Sequence, residues 1–155
     1  MNSFIKTLQK EGRIKIVEPS EVVTNSYMEK SQKSLLSAKI VSGIHNFDDA
    51  VALTYYSMYY SALALLYRCG IKSENHAGTI ILLKELFRID NTSITNAKKE
   101  RIDKQYYTEF KATEKDVQEG VKEAEEFNSL IKNFIDKIKK TEIEGYNKKA
   151  KLLLK

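Results

Sequence analysis

Two stretches of this 155-residue chain carry side chains that could work on an anion. In one, Arg101 and Lys104 stand about one helical turn apart, with Tyr106 and Tyr107 just beyond. Guanidinium and ammonium groups at that spacing can grip a phosphate while a tyrosine stacks on a base or hydrogen-bonds to it. The same residues also fit a plainer reading, in which Arg101 pairs with Glu123 or Glu125 and the tyrosines fill a helical bundle. In the other stretch, His76 heads a helix, where it could join exposed N–H groups in holding an anion, with Lys72 as a further contact. Equally, it could fix the turn after Gly70. Any nucleic-acid reading requires that the cations near the end of the Arg101 helix face an open groove.

The usual catalytic and metal-binding patterns are missing. The chain has no phosphate-cradling glycine loop, GxSxG elbow, HExxH pair or paired-cysteine site. Neither His45 nor His76 has a Glu three residues before it, which removes the Glu-x-x-His arrangement of carboxylate-bridged metal bundles. Neither metal nor cofactor is expected. Cys69, the one cysteine, has no neighbour that would lower its pKa and reads as a packed thiol.

The elements that must position these residues are helices. From 48 to 70 the chain is apolar or aromatic on nearly every face, with Tyr55, Tyr56, Tyr59, Tyr60 and Tyr67 among small residues. Ala52, Tyr55, Tyr59, Ala62 and Leu66 follow each other at steps of three and four, a helix stripe. A helix apolar this far round must be covered on several sides. Tyr55, Tyr56, Tyr59 and Tyr60 are therefore core or dimer-interface residues, with a base-stacking platform as the alternative. Asp48 is placed as the N-cap of this helix and Gly70 as its stop.

Around it the spacing predicts a short helix from Ser3 to about Glu11 and a long one to about Ile44 that Ser20 caps. Tyr27, Ser31, Ser34, Ala38 and Val41 form the stripe of that long helix. A third helix runs from about Asn75 to Phe87, burying Ile80, Leu83 and Phe87, and a fourth from about Ile94 to Phe110. Thr113 and Asp116 form a capping box for a fifth, which runs to about Lys140 with Val117, Val121, Ala124, Ile131, Phe134 and Ile138 inward. The residues after Thr141 read as a frayed basic helix. Arg13–Val17 alternates like a strand but is too short and isolated to imply a sheet. The fold class is all-α: an up-and-down bundle of four to five helices, with a short N-terminal helix and a basic C-terminal tail.

Charge and composition narrow the function classes. Hydrophobic residues make up 42% and charged residues 30%, a balance that fits a folded globular chain and argues against disorder. No apolar run reaches the roughly 18 residues a membrane span needs, and the N-terminus lacks a signal-peptide core, so a cytoplasmic, reduced setting is expected. A net charge of +5 permits an anionic partner without demanding one. Lys98, Lys99, Arg101 and Lys104 form one basic cluster, and Lys148, Lys149, Lys151 and Lys155 form another at the tail; each is either a solvated helix face or an anion-binding one.

Taken in order, "LQKEGRIKIVEPS", "ALTYYSMYYSALALLYRCG", "IKSENHAGTI", "RIDKQYY" and "VKEAEEFNSLIKNFI" resemble the HEPN superfamily, in particular its small stand-alone prokaryotic branch. The resemblance covers most of the chain and implies a single domain over 1–155, with a lead-in (1–19), a bundle core (20–140) and the basic tail (141–155). It further implies a homodimer that binds RNA or a nucleotide through Arg101, Lys104, Tyr106 and Lys72. Such proteins are often one half of a toxin–antitoxin-like pair with a minimal nucleotidyltransferase. Many members are metal-independent ribonucleases marked by an Arg followed four to six residues later by His. Arg101 occupies the arginine position, but Tyr106 stands five residues on and no histidine is near. A degenerate ribonuclease would then draw its base from His76. From a different class comes a non-catalytic helical module that docks a partner helix.

Overall fold

In the computed structural model, which describes residues 3–155, the aromatic segment is the helix every other part of the bundle leans on. Seven helices and two short strands follow in order: α1 (Ser3–Lys10), β1 (Ile14–Ile16), α2 (Glu21–Gly43), α3 (Phe47–Arg68), β2 (Ile71–Ser73), α4 (His76–Phe87), α5 (Thr92–Tyr106), α6 (Glu114–Lys137) and α7 (Lys140–Leu153). Helix α3 packs against α2, α5 and α6, and α4 starts alongside it, with His76 stacked on Tyr59. Fourteen of its 22 residues are buried, and Leu53, Tyr56, Tyr60 and Tyr67 leave one partly exposed stripe. The fold is all-α apart from the small ribbon, and no described helix is long and apolar enough to cross a membrane.

Small polar residues set the close approach of α2 to α3. Ser31 Oγ donates to the Ser57 carbonyl at 2.7 Å, and Ser57 Oγ returns a bond to the Ser31 carbonyl at 2.8 Å. Asn128 on α6 joins this seam, donating to Ser57 Oγ at 2.9 Å and accepting from Ser61 Oγ at 2.8 Å. Each buried hydroxyl thus has a partner, which is the condition for keeping it inside at little cost. Ala38, fully buried one helical face along, lets the two backbones stay near each other.

The expected caps at Ser20 and Thr113 form as bonds, from Val23 N to Ser20 Oγ at 3.1 Å and from Asp116 N to Thr113 Oγ1 at 3.2 Å. Four expectations need correction. Asn46, not Asp48, precedes the first residue of α3, and Asp48 instead accepts from the Ala112 N–H at 2.8 Å, tying down the loop before α6. Helix α5 stops at Tyr106 rather than Phe110. Ile14–Ile16 does form a sheet, pairing antiparallel with Ile71–Ser73, because the chain leaving α3 returns beside it. The tail is not frayed: α7 buries Ile143, Asn147, Ala150 and Leu154 after Ile138 adopts an extended conformation and ends α6.

Gly70 holds the junction of α3, β2 and α7. Its φ of +73° lies in the left-handed region, and a Cβ there would overlap the Val17 carbonyl and the Asn147 amide. Asn147 Nδ2 donates to the Cys69 carbonyl at 2.9 Å, so the C-terminal helix satisfies a carbonyl that the end of α3 leaves open.

Candidate functional site

Three helices bring an arginine, a histidine and four tyrosines to one place. Tyr55, Tyr56, Tyr59 and Tyr60 occupy consecutive turns of α3, and Gly70 then reverses the chain so that β2 delivers His76 to the start of α4, back alongside Tyr55. Asn75 caps that start, its Oδ1 accepting from the Gly78 N–H at 2.8 Å, which sets the direction in which His76 leaves the backbone. Arg101 comes from the last turns of α5, which lies across α3.

The imidazole is clamped. Tyr59 stacks on it with centroids 4.0 Å apart and planes within 6°, and Tyr55 OH lies 2.6 Å from His76 Nδ1. Which atom of that bond donates depends on the tautomer: a phenol donating to Nδ1 leaves the ring proton on Nε2, whereas Nδ1–H donating to the phenol oxygen frees the Nε2 lone pair. Burial raises the Tyr55 pKa further above its ordinary value of 10, so the phenol keeps its proton at any physiological pH. The His76 pKa moves the other way, below 6.5, first through burial and then through the positive charges of Arg101 and Lys98. At pH 7 His76 is a neutral imidazole.

Arg101 shares Tyr55 with His76 and lies over Tyr56 as well. Its guanidinium carbon is 5.1 Å from the Tyr55 centroid and 5.4 Å from that of Tyr56, and Nη1 donates to Tyr56 OH at 2.9 Å. The alternative of an ion pair with Glu123 or Glu125 is not realised: Glu125 pairs with Lys39 at 2.9 Å, and no described carboxylate lies within salt-bridge distance of Arg101. Its Nε is buried with no hydrogen-bond partner among the described residues. A buried cationic N–H without an acceptor forgoes on the order of 1–3 kcal/mol. An incoming oxyanion would supply the missing counter-charge.

The other candidates lie apart from this cluster. Lys104 is held near the start of α6, its Nζ 3.8 Å from Asp116 Oδ2 and 3.5 Å from the Lys111 carbonyl. Lys72 is engaged with Glu74 at 2.6 Å on the β ribbon. Tyr106 and Tyr107 are exposed at the end of α5. Arg68 turns toward α7 instead of His76. Tyr55 and Tyr59 are buried within the chain, while Tyr56 and Tyr60 are half-buried. Tyr60 continues the aromatic row to Tyr27 (6.1 Å) and Tyr27 to Tyr67 (5.4 Å), with Lys30 Nζ 5.6 Å above Tyr60. Cys69 is buried, and burial pushes its thiol up to about 12, which makes it inert.

One member, Lys98, was expected only within a basic cluster that is either solvated or anion-binding, not as a neighbour of His76. It is half-buried one turn before Arg101 and helps depress the His76 pKa. Its i, i+3 relation to Arg101 was visible, but the direction of that face was not. Nearby, a cavity of 360 Å³ between α3, α5 and α6 is lined by Glu100, Asp116, Glu119 and Glu123. Arg101 and His76 are not part of that cavity, and its acidic wall would repel an anion.

Comparisons with known proteins match this chain to a family and to named relatives. The family model for the HEPN domain matches residues 24–134, which takes in α3, His76 and Arg101. A candidate toxin from Methanocaldococcus jannaschii is 33% identical over 118 residues, covering 72% of this chain and 87% of that protein. A UPF0332 protein from Gloeobacter violaceus is 38% identical over 55 residues, covering 36% of this chain and 44% of its own length.

Proposed function

The chain belongs to the HEPN domain family, and from that premise we propose that it binds RNA or a nucleotide through Arg101 and His76 as the toxin-like half of a two-gene pair. The observation that carries this reading is the Arg101 guanidinium, held on Tyr55 and Tyr56 with no carboxylate partner and a buried Nε that lacks an acceptor. Structural arginines are ordinarily neutralised when withdrawn from water; one left unneutralised beside a neutral histidine suits a phosphate that comes and goes. The exposed Tyr106 at the end of α5 is available to stack on a base. Lys104 and Lys72 would act at the periphery, since both are already engaged with carboxylates. The name of the Methanocaldococcus relative supports the toxin-like role. The family resemblance supports a homodimer and a minimal nucleotidyltransferase as partner.

A ribonuclease reading is favoured by one observation, that His76 is neutral and shares Tyr55 with Arg101. In the tautomer with Nδ1–H donating to Tyr55, Nε2 can take the proton of a 2′-hydroxyl. The 2′-oxygen then attacks phosphorus and the 5′-oxygen leaves with a proton from water, giving a 2′,3′-cyclic phosphate while Arg101 offsets the developing charge. The histidine missing after Arg101 is thus replaced from another helix.

The test is binding of a labelled single-stranded RNA at low salt, followed by gel analysis of the same RNA. Arg101→Ala is expected to weaken binding at least about tenfold, and His76→Gln to abolish any cleavage while leaving most of the binding. RNA left intact at stoichiometric protein removes the ribonuclease step and keeps the binding role. Absence of binding even at low salt, or binding indifferent to Arg101→Ala, overturns the reading and favours a helical module that docks a protein partner.

A further inference from the structure

The basic C-terminal segment divides into lysines with different tasks. Lys149 donates to the carbonyls of Leu86 at 3.1 Å and Glu85 at 3.3 Å, closing the C-terminal end of α4 as a cation there should. Lys148 and Lys151 instead border a cavity of 660 Å³ between α7, the end of α3 and the segment entering α2, together with Lys140 and Arg68. The two carboxylates at its edge are Glu18 and Glu144. None of these six charged groups is in an ion pair among the described residues, although lysines elsewhere on the chain pair at 2.6–2.9 Å. Four cations and two carboxylates therefore share one concavity, which leaves an excess of positive charge not taken up in any ion pair among the described residues.

The shape and the uncharged walls narrow what would fill it. Lys140, Glu144, Lys148 and Lys151 follow each other at four, four and three residues, one face of α7. From the first to the last that face extends roughly 16 Å at 1.5 Å per residue, longer than a single phosphate. Buried Ile143 and the ring of Pro19 supply apolar wall. Asn147, also at the wall, spends its Nδ2 on the Cys69 and Gly70 carbonyls, which fixes the amide, while its Oδ1 accepts from no described residue. The volume falls within the range of about 300–1,000 Å³ usual for small-ligand sites.

We propose that this cavity is a second ligand site, separate from Arg101 and His76, for an organic di- or triphosphate: cations for the phosphates, Ile143 and Pro19 for the organic body, and Asn147 Oδ1 for an N–H on it. The mutual repulsion of the four cations, only partly offset by Glu18 and Glu144 in the free protein, is relieved when the polyanion enters. Because the site involves none of the residues of the α3–α5 cluster, it stands or falls independently of the RNA reading.

Calorimetric titration of the full chain with ATP, inorganic tripolyphosphate and adenosine, at about 50 mM salt where surface charges are little screened, tests this. The expected result is saturable binding of ATP, weaker binding of tripolyphosphate and none of adenosine. Lys148→Glu with Lys151→Glu, both on the exposed face of α7, should weaken ATP binding at least about tenfold. The same charge reversal at exposed Lys6 and Lys122 should leave it unchanged. Three results would overturn the site: no saturable binding, a loss with the Lys148 and Lys151 reversals no larger than with those at Lys6 and Lys122, or adenosine binding as well as ATP. Tripolyphosphate binding as tightly as ATP would overturn the organic-body part of the assignment.

Discussion

At the scale of single residues, His76 shows how placement overrides type. A histidine left in water would be partly charged near pH 6.5, but here burial and two cations keep it neutral. Folded, it takes up a proton less readily than in the unfolded chain, so the unfolded state binds more protons as pH falls below 6.5. Stability contributed at neutral pH must therefore decline as pH falls from about 6.5 toward the lower folded value. Urea unfolding between pH 7 and 5 should show that decline in the wild type and a flatter profile in His76→Gln. Equal slopes in the two proteins would mean the imidazole is not buried as described. Arg101 gives a complementary case. Arg101→Met, which keeps the stem over the tyrosines and removes the unsatisfied Nε–H, should change unfolding stability by no more than about 1 kcal/mol. The same variant should cost RNA affinity at least about tenfold. A large loss of stability would make Arg101 a structural residue.

Among the elements, the junction of α3, β2 and α7 carries the most consequence per residue. Gly70→Ala places a Cβ at φ +73° against the Val17 carbonyl and the Asn147 amide. It should destabilise the chain by at least about 2 kcal/mol in denaturant unfolding. Asn147→Ala removes the donor that satisfies Cys69 and Gly70 and should cost about 1–3 kcal/mol. Protection of the α7 amides in hydrogen exchange should approach that of α3; rapid exchange throughout α7 would show an undocked tail. The difference from the expected frayed helix has a simple origin. Ile143, Asn147 and Ala150 are spaced as a buried stripe, but a stripe of three beside four lysines gives a weak pattern, and the docking surface comes from α4 and β1, far away in sequence.

For the whole molecule, the distribution of charge matters more than its sum. The net charge of +5 is divided among cations already engaged, such as Lys39 and Lys72, and cations that are not, at Arg101 and around the α7 cavity. RNA held through about three phosphate contacts should lose affinity with a log–log salt slope near −2, since single strands give about −0.7 per contact. A flat salt response would exclude binding through phosphates. A slope several times steeper would mean that the lysines of α7 take part as well.

The sequence by itself determined the helical class, the caps at Ser20 and Thr113, the glycine stop at Gly70 and the burial of the aromatic helix, because each is written in residues a turn or less apart. It also singled out Arg101 and His76, though not that they meet. Only the tertiary structure decided that Tyr55 holds both, that Lys98 belongs with them while Lys104 goes to Asp116, that Ile14–Ile16 finds Ile71–Ser73, and that the tail docks. The reason is physical: helical periodicity fixes which face a residue occupies, whereas the partner that face meets is chosen by packing between helices that are distant along the chain.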